Sequence, residues 1–135
     1  MAIIKYDKRD RKSLSLHFSS NEFNCPCSDC KETLVSDTLV ERLEKMRVDL
    51  GVQLHVTSGY RCKGYQEQLR LRGYETATGI SQHELGNAAD ISNGVLRGDE
   101  LAEAAEKAGF TCIGVGKTWC HLDVRPGPKR WSYKR

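Results

Sequence analysis

The chain has 135 residues, enough for one domain with a core of its own. It is 39% hydrophobic and 29% charged with a formal net charge of +3, the balance of an ordinary globular protein rather than a disordered or nucleic-acid-coating one. No apolar run reaches the roughly 18 residues of a membrane span, which excludes insertion by a helix. The charges of Lys5 and Asp7 come too early for a secretory signal, so any work outside the cytoplasm is expected to need another exit.

In chain order, residues 1–13 read as a polar, extended arm, 14–131 as the folded domain and 132–135 as a basic tail. Ser19-Ser20-Asn21-Glu22 can start a helical turn. Leu39, Val40, Leu43, Met46 and Leu50 fall on one face and predict a helix over 36–50, with Thr38 and Glu41 as a capping box and Gly51 as its end. Gln53 to Thr57 alternates as a strand ending at Ser58-Gly59. Cys62 to Arg72 predicts a second helix, Gly73 to Ile80 a loop, and Ala88 to Ile91 a short buried strand. Asp99 is expected to cap a helix over 100–108 that turns Leu101, Ala104, Ala105 and Ala108 inward. Phe110 to Gly116 and Trp119 to Val124 predict a hairpin. Helices and short strands alternate without a βαβ rhythm, which predicts an α+β domain with a small antiparallel sheet and flanking helices.

Two further features carry chemistry. Between Arg125 and Arg135 there are five basic residues and no acid, a stretch suited to an anionic polymer such as cell wall; no nucleic-acid-binding motif accompanies it. Six cysteines stand at 25, 27, 30, 62, 112 and 120. Only Cys27 and Cys30 have the spacing of a zinc knuckle, so free thiols, disulfides and a structural metal all stay open.

Three segments pair a polar group with a constrained backbone: Ser58-Gly59-Tyr60-Arg61, then Ser81-Gln82-His83-Glu84-Leu85-Gly86-Asn87-Ala88-Ala89-Asp90, and Cys120-His121-Leu122-Asp123. His83, Asp90 and His121 meet the requirement of a catalytic zinc for three protein ligands and one open position, provided Gly86 bends the chain between the first two. Cys120 is expected to point away from His121 into the core, and His17 and His55 read as ordinary histidines.

These segments resemble the signature of the zinc D-alanyl-D-alanine carboxypeptidase and L-alanyl-D-glutamate endopeptidase family (peptidase family M15), whose relatives include the hedgehog signalling domain. The family pattern has a Ser-Gly-Tyr-Arg segment, a Ser-x-His-x-x-Gly-x-Ala-x-Asp segment and a late histidine on a strand. The resemblance covers about residues 14 to 131. It implies a hedgehog-like fold, one zinc on His83, Asp90 and His121, and hydrolysis of peptidoglycan stem peptides by a monomer. It implies further that Arg61 faces the oxyanion or a substrate carboxylate, with Ser81 and Trp119 beside the substrate. Many relatives carry a catalytic acid three residues before the last histidine; here that position is Thr118, which cannot serve as a base near neutral pH. Asp123, two residues after His121 on the same strand face, is the expected general base, with Glu84 in reserve. A compact chain with no wall-binding module suggests an endolysin-type L-Ala–D-Glu endopeptidase released by a holin. D-Ala–D-Ala carboxypeptidase activity is the alternative, and a zinc-bearing wall-binding module without catalysis is the reading from another class.

Overall fold

The computed structural model describes residues 1–74 and 80–135; part of the loop expected over 73–80, residues 75–79, lies outside the described residues. Side-chain alternation decides how its layers form. In β4 (Ala88–Ser92) Ala89 and Ile91 are buried, and in β6 (Trp119–Asp123) so are Cys120 and Leu122. These apolar positions pack with Leu39, Leu43 and Met46 of α1 (Asp37–Leu50) and with Leu101, Ala102 and Ala105 of α3 (Gly98–Lys107) into one core. The intervening residues Asp90, His121 and Asp123 therefore share the opposite face of the sheet. The positions of Asp90, His121 and Asp123 follow from that single choice of face.

The main sheet has five strands in the order β3 (His55–Ser58), β4, β6, β5 (Cys112–Val115), β7 (Lys129–Ser132). The first four pair antiparallel, as the sequence predicts, and β7 adds a parallel edge beside β5. Asp90 stands directly across from His121 in the β4–β6 register. A bulge at Thr57 shifts the β3–β4 register and brings Ser58 opposite Asp90. The N-terminal arm is extended as expected, but Ile3–Asp7 forms β1 and pairs with β2 (Glu32–Ser36) in a separate two-stranded sheet. The architecture is α+β and consistent with a hedgehog-like arrangement.

The caps of two helices differ from the sequence expectation. The cap of α1 is Ser36, whose Oγ accepts from the Leu39 N–H at 3.2 Å, rather than Thr38. The reason is that β2 runs straight into the helix, so one residue ends the strand and caps the helix. At α3 the cap position falls on Arg97, whose N–H donates to the Glu100 carboxylate at 3.0 Å; Asp99 lies inside the first turn. The helix thus starts two residues earlier than expected, and its buried face is Leu101, Ala102, Ala105 and Ala108, with Ala104 only half-buried. The helix expected over 62–72 is present as α2 (Lys63–Leu71), and the early helical turn as a 3-10 turn over Ser20–Phe23.

Candidate metal centre

The centre is assembled by three backbone devices. Asp90 and His121 are cross-strand neighbours on the face away from the core. His83 arrives on the 81–86 turn, which closes at Gly86 with φ +79° and leaves no space for a Cβ against the Leu34 backbone. Gly86 supplies the bend between ligands that the spacing demands. Arg61 follows the β3 bulge, with its N–H donating to the His83 carbonyl at 3.2 Å.

His83, Asp90 and His121 are all buried, and one ligating atom from each lies within 4.8 Å of the others. Asp90 Oδ1 is 3.3 Å from His83 Nε2 and 3.1 Å from His121 Nδ1. The outer nitrogens of both rings are already engaged. His83 Nδ1 is 2.7 Å from the Gly59 carbonyl, and His121 Nε2 is 2.7 Å from Asp123 Oδ2. A carbonyl and a carboxylate can only accept, so each outer nitrogen carries the proton. In the neutral rings the inner nitrogens then present lone pairs, aimed with the Asp90 carboxylate at one point. Such a set calls for positive charge at its centre, and two imidazoles with one carboxylate suit zinc with an open position. These residues fit the metal the resemblance implies.

The electrostatics agree. Burial opposes charge on Asp90, but His121 and His83 outweigh it and hold the carboxyl far below its usual range. Burial pushes His83 down and favours the neutral, ligating ring. At His121 burial also opposes protonation, yet Asp123 and Asp90 outweigh it and raise the ring. In the absence of a metal, a proton is drawn to the same place.

A cleft of about 510 Å³ opens over this centre. Of the residues expected to act there, Arg61, Ser81 and Trp119 line it. Arg61 Nη2 donates to Asp90 Oδ2 at 3.1 Å and its Nε to Ser58 Oγ at 2.9 Å. The Ser81 hydroxyl accepts from the His83 N–H at 3.2 Å, which shapes the turn. Trp119 stacks on Tyr133 with ring centroids 4.6 Å apart.

Asp123 lies where strand alternation puts it, beside His121, but on the far side of the imidazole from Asp90. Its carboxylate is fully buried and takes four donors: His121 Nε2, and the Nε, Nη2 and backbone N–H of Arg125 at 2.8, 2.6 and 3.1 Å. It does not line the cleft, and neither does Glu84. The Asp123 carboxylate, expected as the base, faces His121 and Arg125 instead of the cleft.

Sequence reasoning missed several lining groups. Gln66 is 3% exposed, borders the cleft and, among the described residues, has no hydrogen-bond partner at either end of its amide. Trp131 and Tyr133 form a wall with the cations Arg125, Lys129 and Arg135. The signal for that wall was present: Lys129, Trp131 and Tyr133 alternate like a strand within the stretch read as charge alone. Gln66 has no such signal.

The family model described as Peptidase M15 matches residues 16–123. The chain belongs to this peptidase family. The match spans the three segments that build the centre, and it begins before the first core aromatic, Phe18. No curated protein matches the chain.

Proposed function

We propose that this peptidase M15 member is a zinc-dependent enzyme that hydrolyses the stem peptides of peptidoglycan, with the L-Ala–D-Glu bond as its favoured target. The observation that carries the reading is the convergence of three buried lone-pair donors on the floor of a cation-lined cleft. Zinc held by His83, Asp90 and His121 would supply Lewis acidity toward the scissile carbonyl and bring the pKa of water to about 7.

The protein's own groups do the rest. Asp123 fixes the His121 tautomer and ring plane, and Gly59 does so for His83. Arg61 steadies Asp90, while its Nη1, without a partner among the described residues, faces substrate as a charged donor. Arg61, Arg125, Lys129 and Arg135 stand against one lining carboxylate, Asp90, which favours a substrate carrying carboxylates. A stem peptide has them on its D-Glu residue and at its C-terminal D-Ala. The Gln66 amide, with neither end partnered among the described residues, suits a peptide group of the substrate. The enzyme acts as a monomer on the cell wall.

The same cleft accommodates D-Ala–D-Ala carboxypeptidase activity. Purified muropeptides digested with the protein and weighed by mass spectrometry separate the two: endopeptidase action detaches the peptide beyond L-Ala, and carboxypeptidase action removes a single D-Ala. Loss of D-Ala alone overturns the endopeptidase assignment. One observation favours a binding module instead: among the described residues lining the cleft, Asp90 is the only carboxylate, and it is committed to the centre. A zinc-loaded protein that binds muropeptides and releases no new amine establishes that reading.

A further inference from the structure

Away from the cleft, Cys25, Cys27, Cys30 and Cys62 bring their sulfurs within 4.8 Å of one another. The first three sit on the segment after the 3-10 turn. The fourth directly follows Arg61 and occupies the cap position of α2. We propose that these four cysteines form a second metal site, a structural zinc tetrathiolate that ties the N-terminal segment to the Ser58–Arg61 turn.

Distances separate this from the alternatives. Cys25 Sγ lies 3.7 Å and Cys27 Sγ 3.5 Å from Cys62 Sγ. A tetrahedron with Zn–S bonds of about 2.3 Å has S–S edges of about 3.8 Å. A disulfide needs about 2.05 Å, and it joins two sulfurs rather than gathering four.

Donors stand against three of the sulfurs. The Cys30 N–H points at Cys27 Sγ and the Cys62 N–H at Cys25 Sγ, both at 3.4 Å. Lys8 Nζ lies 3.3 Å from Cys30 Sγ and 2.5 Å from the Cys27 carbonyl. Four thiolates on a divalent ion leave two negative charges, and the Lys8 ammonium offsets one of them. Loading the site sends the thiol protons to solvent. By contrast, Cys112 and Cys120 donate to the Gly127 and Gly98 carbonyls at 3.0 and 3.1 Å, as core thiols do.

The tie reaches the catalytic face through Gly59. Its neighbour Tyr60 donates its N–H to the Phe23 carbonyl at 2.8 Å, and the Gly59 carbonyl is the group that orients His83. The cysteine site clamps this turn from both sides, Cys25 just after Phe23 and Cys62 just after Arg61.

The test counts metals with the two sites separated by variant. The full chain should hold two zinc ions, the His83→Ala protein one, and a Cys27→Ser/Cys30→Ser protein only the catalytic one. Cobalt substituted into His83→Ala should show the charge-transfer and d–d bands of a tetrahedral tetrathiolate. If the cysteine variant fails to fold, a mercurial titration of the wild type with a zinc indicator gives the same answer, one ion released per four thiols. A wild type with a single zinc that His83→Ala abolishes, or with disulfides among these four cysteines, overturns the proposal.

Discussion

Asp123→Asn separates a base from a support. The substitution keeps volume but removes the charge that accepts from His121 Nε2 and from three Arg125 donors. Breaking a buried pair by deleting one partner costs about 3–5 kcal/mol, and the lower end applies here because the Arg125 side chain is 28% exposed and can turn toward water. With the His121 ring no longer held by a carboxylate, zinc affinity should fall roughly 10–100-fold. Turnover at saturating zinc should then stay within about 10-fold of wild type, whereas loss of a positioned base costs about 10²–10⁴-fold. Competition with a zinc indicator, thermal melting and muropeptide hydrolysis at saturating metal read the three quantities separately. An Asn variant with unchanged zinc affinity and turnover reduced more than about 100-fold would refute the positioning role and restore Asp123 as the base.

Three further outcomes follow from the same geometry. His83→Ala, Asp90→Ala and His121→Ala should each lose the catalytic metal and all hydrolysis with the fold retained, and a chelator should silence the wild type until zinc is returned; full activity in any one removes that residue from the site. Gln66→Leu should raise KM roughly 3–10-fold, the worth of one net hydrogen bond, with kcat little changed. Its melting temperature should hold or rise, since both amide ends are unpartnered among the described residues; a lower melting point with unchanged KM would mark Gln66 as structural. Gly59→Ala would place a Cβ 2.6 Å from the Phe23 Cα, backbone that cannot swing aside. It should destabilise by about 1–3 kcal/mol and weaken zinc binding through His83, both visible by melting with and without added metal.

How much of this was legible depended on the range of the interaction. Helical periodicity placed α1, and alternation placed β4 and β6, because those patterns are local. Spacing made His83, Asp90 and His121 possible ligands, and the resemblance to the M15 signature singled them out. Alternation also put Asp123 beside His121, yet it could not say on which side of the ring, since that depends on rotamers and on Arg125. The cysteine cluster was hidden for a different reason. Cys62 is 32 residues beyond Cys30 in the chain, and only the packing of the 3-10 turn against the Ser58–Arg61 turn brings them together. Likewise β7 belongs to the sheet through a parallel pairing that carries no hairpin signal.

The facing of Asp90 and His121 across the β4–β6 ladder would make a metal bound at the proposed centre a proofreader of strand alignment. A slip of one residue in β6 would set Cys120 or Leu122 opposite Asp90, turn the imidazole and Asp123 into the aliphatic layer, and expose two core side chains in their place. A misaligned chain offers no ligand set, so only the correct pairing is rewarded by zinc, and mass action draws the population toward it. Insertions should accordingly be tolerated in the turns flanking these strands and rejected within them, and metal present during refolding should raise the yield of correctly paired protein.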